Sequence, residues 1–113
     1  MVSQPRVLVV DDEESVRDAF ADALEDLPYK VETVSGGEEA LAKVKSSPAD
    51  LIFLDLKMPG MNGLETLRKI KERYPLIQVV MLTAHGTIET AVEGLKMGAF
   101  DYLLKPCEID RLV

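Results

Sequence analysis

The 113-residue sequence has no tryptophan, one cysteine and one histidine. The lone cysteine, Cys107, excludes an intramolecular disulfide and suits a reducing cytosol. Cys107 and His85 are too few nitrogen and sulfur ligands for a zinc site. With His85 as the sole imidazole, no Ser-His-Asp hydrolase set is evident. No glycine-rich dinucleotide fingerprint follows the first apolar run, and no P-loop is present. No apolar run approaches the ~18 residues that span a membrane, and the first residues lack a signal-peptide pattern. A cytoplasmic location with no membrane contact is therefore expected. Basic side chains are also scarce, 13 against 20 acidic ones, for a net charge of -7 and a pI near 4.7. That balance argues against direct binding to nucleic acid, which a phosphate backbone would otherwise dominate.

What remains is a globular composition, 47% apolar and 29% charged, in a length that suits one domain over residues 1–113. The acidity is uneven. Residues 1–55 carry 13 acidic and 5 basic side chains, and residues 56–113 carry 7 and 8. Asp18, Asp22, Glu25 and Asp26 read as a solvated helix face. The run Asp11-Asp12-Glu13-Glu14 does not, because it follows directly on an apolar run.

Five short apolar runs stand out: Val7–Val10, Val31–Val34, Leu51–Leu54, Ile77–Leu82 and Tyr102–Leu104. The first, third and fourth are nearly continuous, as in parallel strands buried on both faces. Helical spacing separates them. Val16, Ala19, Phe20, Ala23, Leu24 and Leu27 mark one helix, closed by Pro28. Ala40, Leu41 and Val44 mark a second, with Ser35 and Glu38 as a capping box. Leu64, Leu67 and Ile70 mark a third, with Asn62 and Glu65 as a cap pair. Ile88, Ala91, Val92 and Leu95 mark a fourth. Gly63 and Gly98 read as turn or cap residues. The order βαβαβαβαβ, with crossovers long enough for parallel pairing, predicts an open doubly wound five-stranded parallel α/β sheet. A fifth helix is expected to begin over residues 109–113 and to be truncated.

In such sheets ligands bind beyond the carboxyl ends of the strands. The first strand runs into Asp11 and Asp12, the third into Asp55, the fourth into Thr83 and the fifth into Lys105. Each has a plain alternative: a helix cap at Asp11 or Asp12, a turn cap at Asp55, an ordinary hydroxyl at Thr83, a surface lysine at Lys105. The functional reading gains because all fall on one rim. Three converging carboxylates repel one another, and a hard divalent cation such as Mg²⁺ relieves that with oxygen ligands. A carboxylate can also act as a nucleophile toward phosphorus, with the metal, a lysine and a hydroxyl stabilising the phosphoryl oxygens.

Four pieces of the sequence, Val7-Leu-Val-Val-Asp-Asp12, Asp55-Leu-Lys-Met-Pro-Gly-Met-Asn-Gly63, Thr83-Ala-His-Gly86 and Tyr102-Leu-Leu-Lys-Pro106, span nearly the whole chain. In this order and spacing they resemble the receiver domain of bacterial two-component response regulators, a CheY-like, flavodoxin-like fold. Thr83 to Pro106 is most similar to receivers of NtrC-type regulators, which act in sigma-54-dependent transcription. The resemblance implies strand order 2-1-3-4-5. It implies Asp55 as phosphoacceptor from a sensor histidine kinase's phosphohistidine. Asp12 would bind Mg²⁺, with Asp11 acting mainly through water and the Lys57 backbone carbonyl completing the protein ligands. Thr83 and Lys105 would contact the phosphoryl group, and a cis peptide would precede Pro106. Thr83 and Tyr102 would form the switch, moving the segment from Ala84 to Met97, while Lys57 and His85 would tune the hydrolysis rate. On this reading the chain is no enzyme beyond supporting its own phosphotransfer and slow dephosphorylation. It would control an output domain, with ATPase and DNA-binding modules as candidates, and a homodimer is a further expectation. Two other readings stand beside it: a phosphorylation-independent dimerisation module, and a Mg²⁺-dependent phosphohydrolase, which would want an aspartate where Lys57 stands. No role is assigned to Cys107.

Overall fold

The structure is a computed structural model that describes residues 4–57, 60–83 and 88–104. Among these, five strands alternate with four helices: β1 (Arg6–Val10), α1 (Glu14–Leu24), β2 (Lys30–Val34), α2 (Gly37–Ser46), β3 (Leu51–Asp55), α3 (Gly63–Arg73), β4 (Gln78–Thr83), α4 (Ile88–Lys96) and β5 (Asp101–Leu104). All pairings are parallel and the order is β2-β1-β3-β4-β5. The doubly wound α/β sheet expected from the apolar runs is therefore present, with the chain reversing direction of growth across β1.

Burial follows from that order. The continuous runs are the inner strands: β1, β3 and β4 are almost wholly buried, and the edge strands β2 and β5 only in part. Strand residues alternate between two cores. Leu8, Val10, Ile52, Leu54, Val79 and Met81 pack beneath α2, α3 and α4. Val7, Val9, Phe53, Val80 and Leu82 pack beneath Phe20 and Leu24 of α1. Phe20 anchors that second layer, fully buried with its ring centroid 4.8 Å from that of Phe53.

Three local expectations change. First, α1 ends at Leu24, not at Leu27 before Pro28. Leu27 still packs against the α1 core from a turn, so its apolar spacing reported burial and not helix. Second, the Ser35–Glu38 capping box does not form. Gly36 is the extended N-cap residue of α2, so Ser35 lies one position too early to reach into the helix; its hydroxyl donates to the Glu39 carboxylate instead. Third, Gly63 is the first residue of α3 and has no positive φ, so it is not a left-handed turn residue. Gly98, just past α4, does carry that conformation at φ 110°. The Asn62 cap forms as expected, its side-chain oxygen accepting from the Glu65 N–H at 2.9 Å. The truncated fifth helix, Cys107 and the Lys105–Pro106 peptide lie outside the described residues.

Candidate functional site

The rim at the carboxyl ends of β1, β3 and β4 collects the acidic residues. Asp11 immediately follows β1 and is fully buried, while Asp12 beside it is exposed. Asp55 closes β3 and is buried. One carboxylate oxygen from each of Asp11, Asp12 and Asp55 falls within 4.8 Å of the others. Among the described residues no other set of three histidine, cysteine, aspartate or glutamate side chains converges in this way. The donors are all hard oxygens, two anchored in the interior and one facing water. That suits a small hydrated cation such as Mg²⁺, which keeps waters while taking one or two carboxylates.

Hydrogen bonds to the backbone hold Asp11 and Asp55 in place. The Asp11 N–H donates to the Val34 carbonyl at 3.2 Å. Its Oδ1 accepts from the Glu13 N–H at 2.9 Å, and its carbonyl accepts from Arg17 Nη1 at 2.8 Å. Asp55 Oδ1 accepts from the Lys57 N–H at 3.1 Å, which ties the carboxylate to the turn after it. The Leu56 N–H reaches the Leu82 carbonyl at 3.1 Å, and the Gly63 N–H reaches the Leu56 carbonyl at 3.2 Å. The residue after Asp55 is thus bonded to both β4 and the start of α3.

Thr83 ends β4 and is buried. It sits one residue past Leu82, the Cα partner of Asp55, so both belong to the same rim. Thr83 pairs with Leu104, and Met81 with Tyr102. Thr83 and Tyr102 therefore lie on one face of the sheet, at diagonal positions of neighbouring strands. Tyr102 is partly buried against the α2–α4 core. Lys57 is exposed. His85, Lys105 and Pro106 lie outside the described residues.

Sequence reasoning did not find Glu13, Arg17 or Gly63 as parts of the rim. The sequence offered no reading of Arg17. Its contact is with a backbone carbonyl six residues earlier, which no residue pattern displays. Gly63 gave a signal, an isolated glycine directly after a cap residue, but its neighbour is the end of β3 and not a turn.

Residues 7–113 match the response regulator receiver domain family. An NtrX-like response regulator of Rickettsia typhi is 42% identical over 99% of this chain and 24% of its own length. The DNA-binding transcriptional regulator NtrC of Salmonella typhimurium is 42% identical over 95% of this chain and 23% of its own. The chain thus spans about a quarter of the length of these curated relatives. The crystal structure of the receiver domain of NtrX from Brucella abortus superposes with a TM-score of 0.88 at 41% identity, covering 94% of this chain and 90% of that one. With its sheet order, its acidic rim and these likenesses, the chain belongs to the response regulator receiver domain family.

Proposed function

We propose that the chain is a phosphoacceptor receiver over residues 1–113, in which Asp55 takes a phosphoryl group from the phosphohistidine of a sensor histidine kinase. The observation that carries this is the convergence of the Asp11, Asp12 and Asp55 carboxylates within 4.8 Å at the carboxyl rim of a receiver fold. An Asp55 oxygen attacks phosphorus, the phosphorus–nitrogen bond to the imidazole breaks, and the imidazole leaves as its electron pair returns to nitrogen. Asp11, Asp12, Asp55 and the Lys57 carbonyl would hold Mg²⁺. When bound, Mg²⁺ offsets the negative charge that gathers on the phosphoryl oxygens. The Lys57 N–H donates to one Asp55 oxygen and so orients the attacking carboxylate. Thr83 donates its hydroxyl to a phosphoryl oxygen, and Lys105 supplies a charge there.

The shared face of Thr83 and Tyr102 supports their role as the switch. When Thr83 moves toward the phosphorylated Asp55, it vacates space that the neighbouring Tyr102 ring takes up, and the segment from Ala84 to Met97 shifts with them. This is a population shift between two packings, biased by a local charge change. His85 and Lys57 tune the lifetime of the phosphorylated state. The likeness to NtrX and NtrC over a quarter of their length supports an output domain elsewhere in a parent chain, with ATPase and DNA-binding modules for sigma-54-dependent transcription in the cytoplasm. A homodimer is the natural assembly to accompany it. Among the described residues no helix is long and apolar enough to cross a membrane.

The test is labelling by a small phosphodonor such as acetyl phosphate. Wild type should label once per chain with Mg²⁺ and not without it, and Asp55→Asn should abolish labelling. Undiminished labelling of Asp55→Asn would sink the assignment. Turnover of many donors per chain would revive the phosphohydrolase.

A further inference from the structure

We infer that Gly63 is a positioning residue for the phosphoacceptor: its lack of a side chain sets where the Asp55–Lys57 backbone lies. The inference rests on the receiver reading above. A Cβ built on Gly63 would stand 2.5 Å from the Asp55 carbonyl oxygen, nearer still to Leu56 Cα, and 3.0 Å from Leu56 Cδ2. The first two neighbours are backbone atoms, so no side-chain rotation relieves them. Gly63 also donates its N–H to the Leu56 carbonyl at 3.2 Å. The start of α3 is therefore seated directly on the peptide that follows the acceptor, and only glycine permits that seat.

One of the two partners must yield if a methyl group is added, and the surroundings decide which. Beside it on the same face of the sheet, α3 is crowded against α2. A Cβ on Gly37 would collide with Thr66 Oγ1 and stand 3.4 Å from the Met61 side chain. Thr66, Leu67 and Ile70 are fully buried, and the Thr66 hydroxyl is bonded to the Asn62 carbonyl at 2.9 Å. These contacts hold α3 on its α2 side and in the core. The regular ladder of β3 ends at Asp55, and Leu56 continues it by donating its N–H to the Leu82 carbonyl. The Asp55–Lys57 segment is the part that gives. Relieving a 2.5 Å contact to 3.0 Å or more moves the Asp55 carbonyl by about half an ångström. The Asp55 carboxylate, the Lys57 N–H that orients it and the Lys57 carbonyl would all move with it.

Gly63→Ala should therefore damage the site more than the fold. In acetyl phosphate labelling across a Mg²⁺ series, the variant should need more Mg²⁺ for half-maximal rate. Its saturating rate should fall about tenfold to a hundredfold, the scale of ångström misplacement at a reacting centre. The Lys57 amide resonance should shift. The control is Val44→Ala, which removes fully buried core volume on α2 and should lower the unfolding temperature while keeping the wild-type Mg²⁺ midpoint. Asn62→Ala covers the case in which Gly63→Ala does not fold. It deletes the α3 cap without adding an atom near β3 and should cost labelling a few-fold. A folded Gly63→Ala that labels like wild type at the same Mg²⁺ midpoint, or an Asn62→Ala with unchanged labelling, would overturn the inference and leave the receiver reading standing. Failure of wild type itself to label would remove both.

Discussion

The two edges of the sheet both carry aspartate, and they use it in opposite ways. At the amino edge Asp50 precedes β3. Its carboxylate accepts the Arg6 N–H at 2.8 Å, its own N–H donates to the Arg6 carbonyl at 2.9 Å, and its carbonyl accepts the Gln78 N–H at 3.1 Å. One residue thereby stitches β1, β3 and β4 together, with its charge spent on backbone. At the carboxyl edge Asp11, Asp12 and Asp55 bring three charges within 4.8 Å. The direction of a parallel sheet explains the sorting. Every crossover helix starts at the carboxyl edge and ends at the amino edge. Free N–H groups and the positive dipole end face the first, carbonyls and the negative end the second. Two helices are charged accordingly: α2 opens with Glu38 and Glu39 and closes with Lys43 and Lys45, while α3 opens with Glu65 and closes with Lys71 and Arg73. Lys71 completes the pattern by donating from its ammonium to the Pro75 and Ile77 carbonyls at 2.8 and 2.9 Å. An acidic residue at a strand end is thus unremarkable by itself. Three at the end where helices begin is the arrangement on which the proposed Mg²⁺ site rests.

The contrast can be broken experimentally. The largest effect should come from Mg²⁺ itself: at roughly a hundredfold over its Kd it should add about 2–3 kcal/mol to unfolding stability, and Asp12→Ala should lose most of that gain. An undiminished gain in Asp12→Ala would place the metal elsewhere. Asp50→Ala should behave in the reverse manner, costing about 1 kcal/mol in urea unfolding for the lost bond to Arg6 while keeping the full Mg²⁺ gain. The smallest effect belongs to Glu32 on the β2 edge, where Lys43 bonds its carboxylate and Arg6 approaches at 3.4 Å. The hydrogen bond from Lys43 and the nearby positive charges hold the Glu32 carboxyl below its ordinary value of 4.5. A carboxyl so lowered contributes stability above its ordinary value and loses it as pH falls through the folded one. Glu32→Gln should therefore cost a few tenths of a kcal/mol near neutral pH, as partly exposed pairs do, and nothing in strong acid. A cost that grows on acidification would reverse the sign.

The strands were the most legible part of the sequence because a parallel inner strand is apolar on both faces, and Val7–Val10 or Leu51–Leu54 can be little else. The rim was legible for the same reason: where such a run stops, the next polar residue marks the strand end, which brings out Asp11, Asp55 and Thr83. Boundaries were harder. Leu27 kept a helical spacing after the helix had ended. At α2 two residues could have been the cap, and Gly36 took the role because an extended glycine there costs little. Contacts to backbone atoms were invisible. Arg17 on the Asp11 carbonyl and Gly63 on the Asp55 peptide involve partners that every residue possesses, so composition cannot flag them.

The bond from the Glu13 N–H to Asp11 Oδ1 gives that carboxylate two employers. It lies in the acidic rim, and it also accepts a donor at the N-cap residue of α1. Changing Asp11 would perturb ion affinity and helix initiation together, so a loss of activity there has no single interpretation. Asp12, exposed at the mouth of the same cluster, is the cleaner genetic probe. The shared carboxylate also wires occupancy of the rim into the first turn of α1. Amide exchange at Val16 and Arg17, whose N–H groups bond the Glu13 carbonyl, becomes a reporter of ion binding from a helix that never touches the ion.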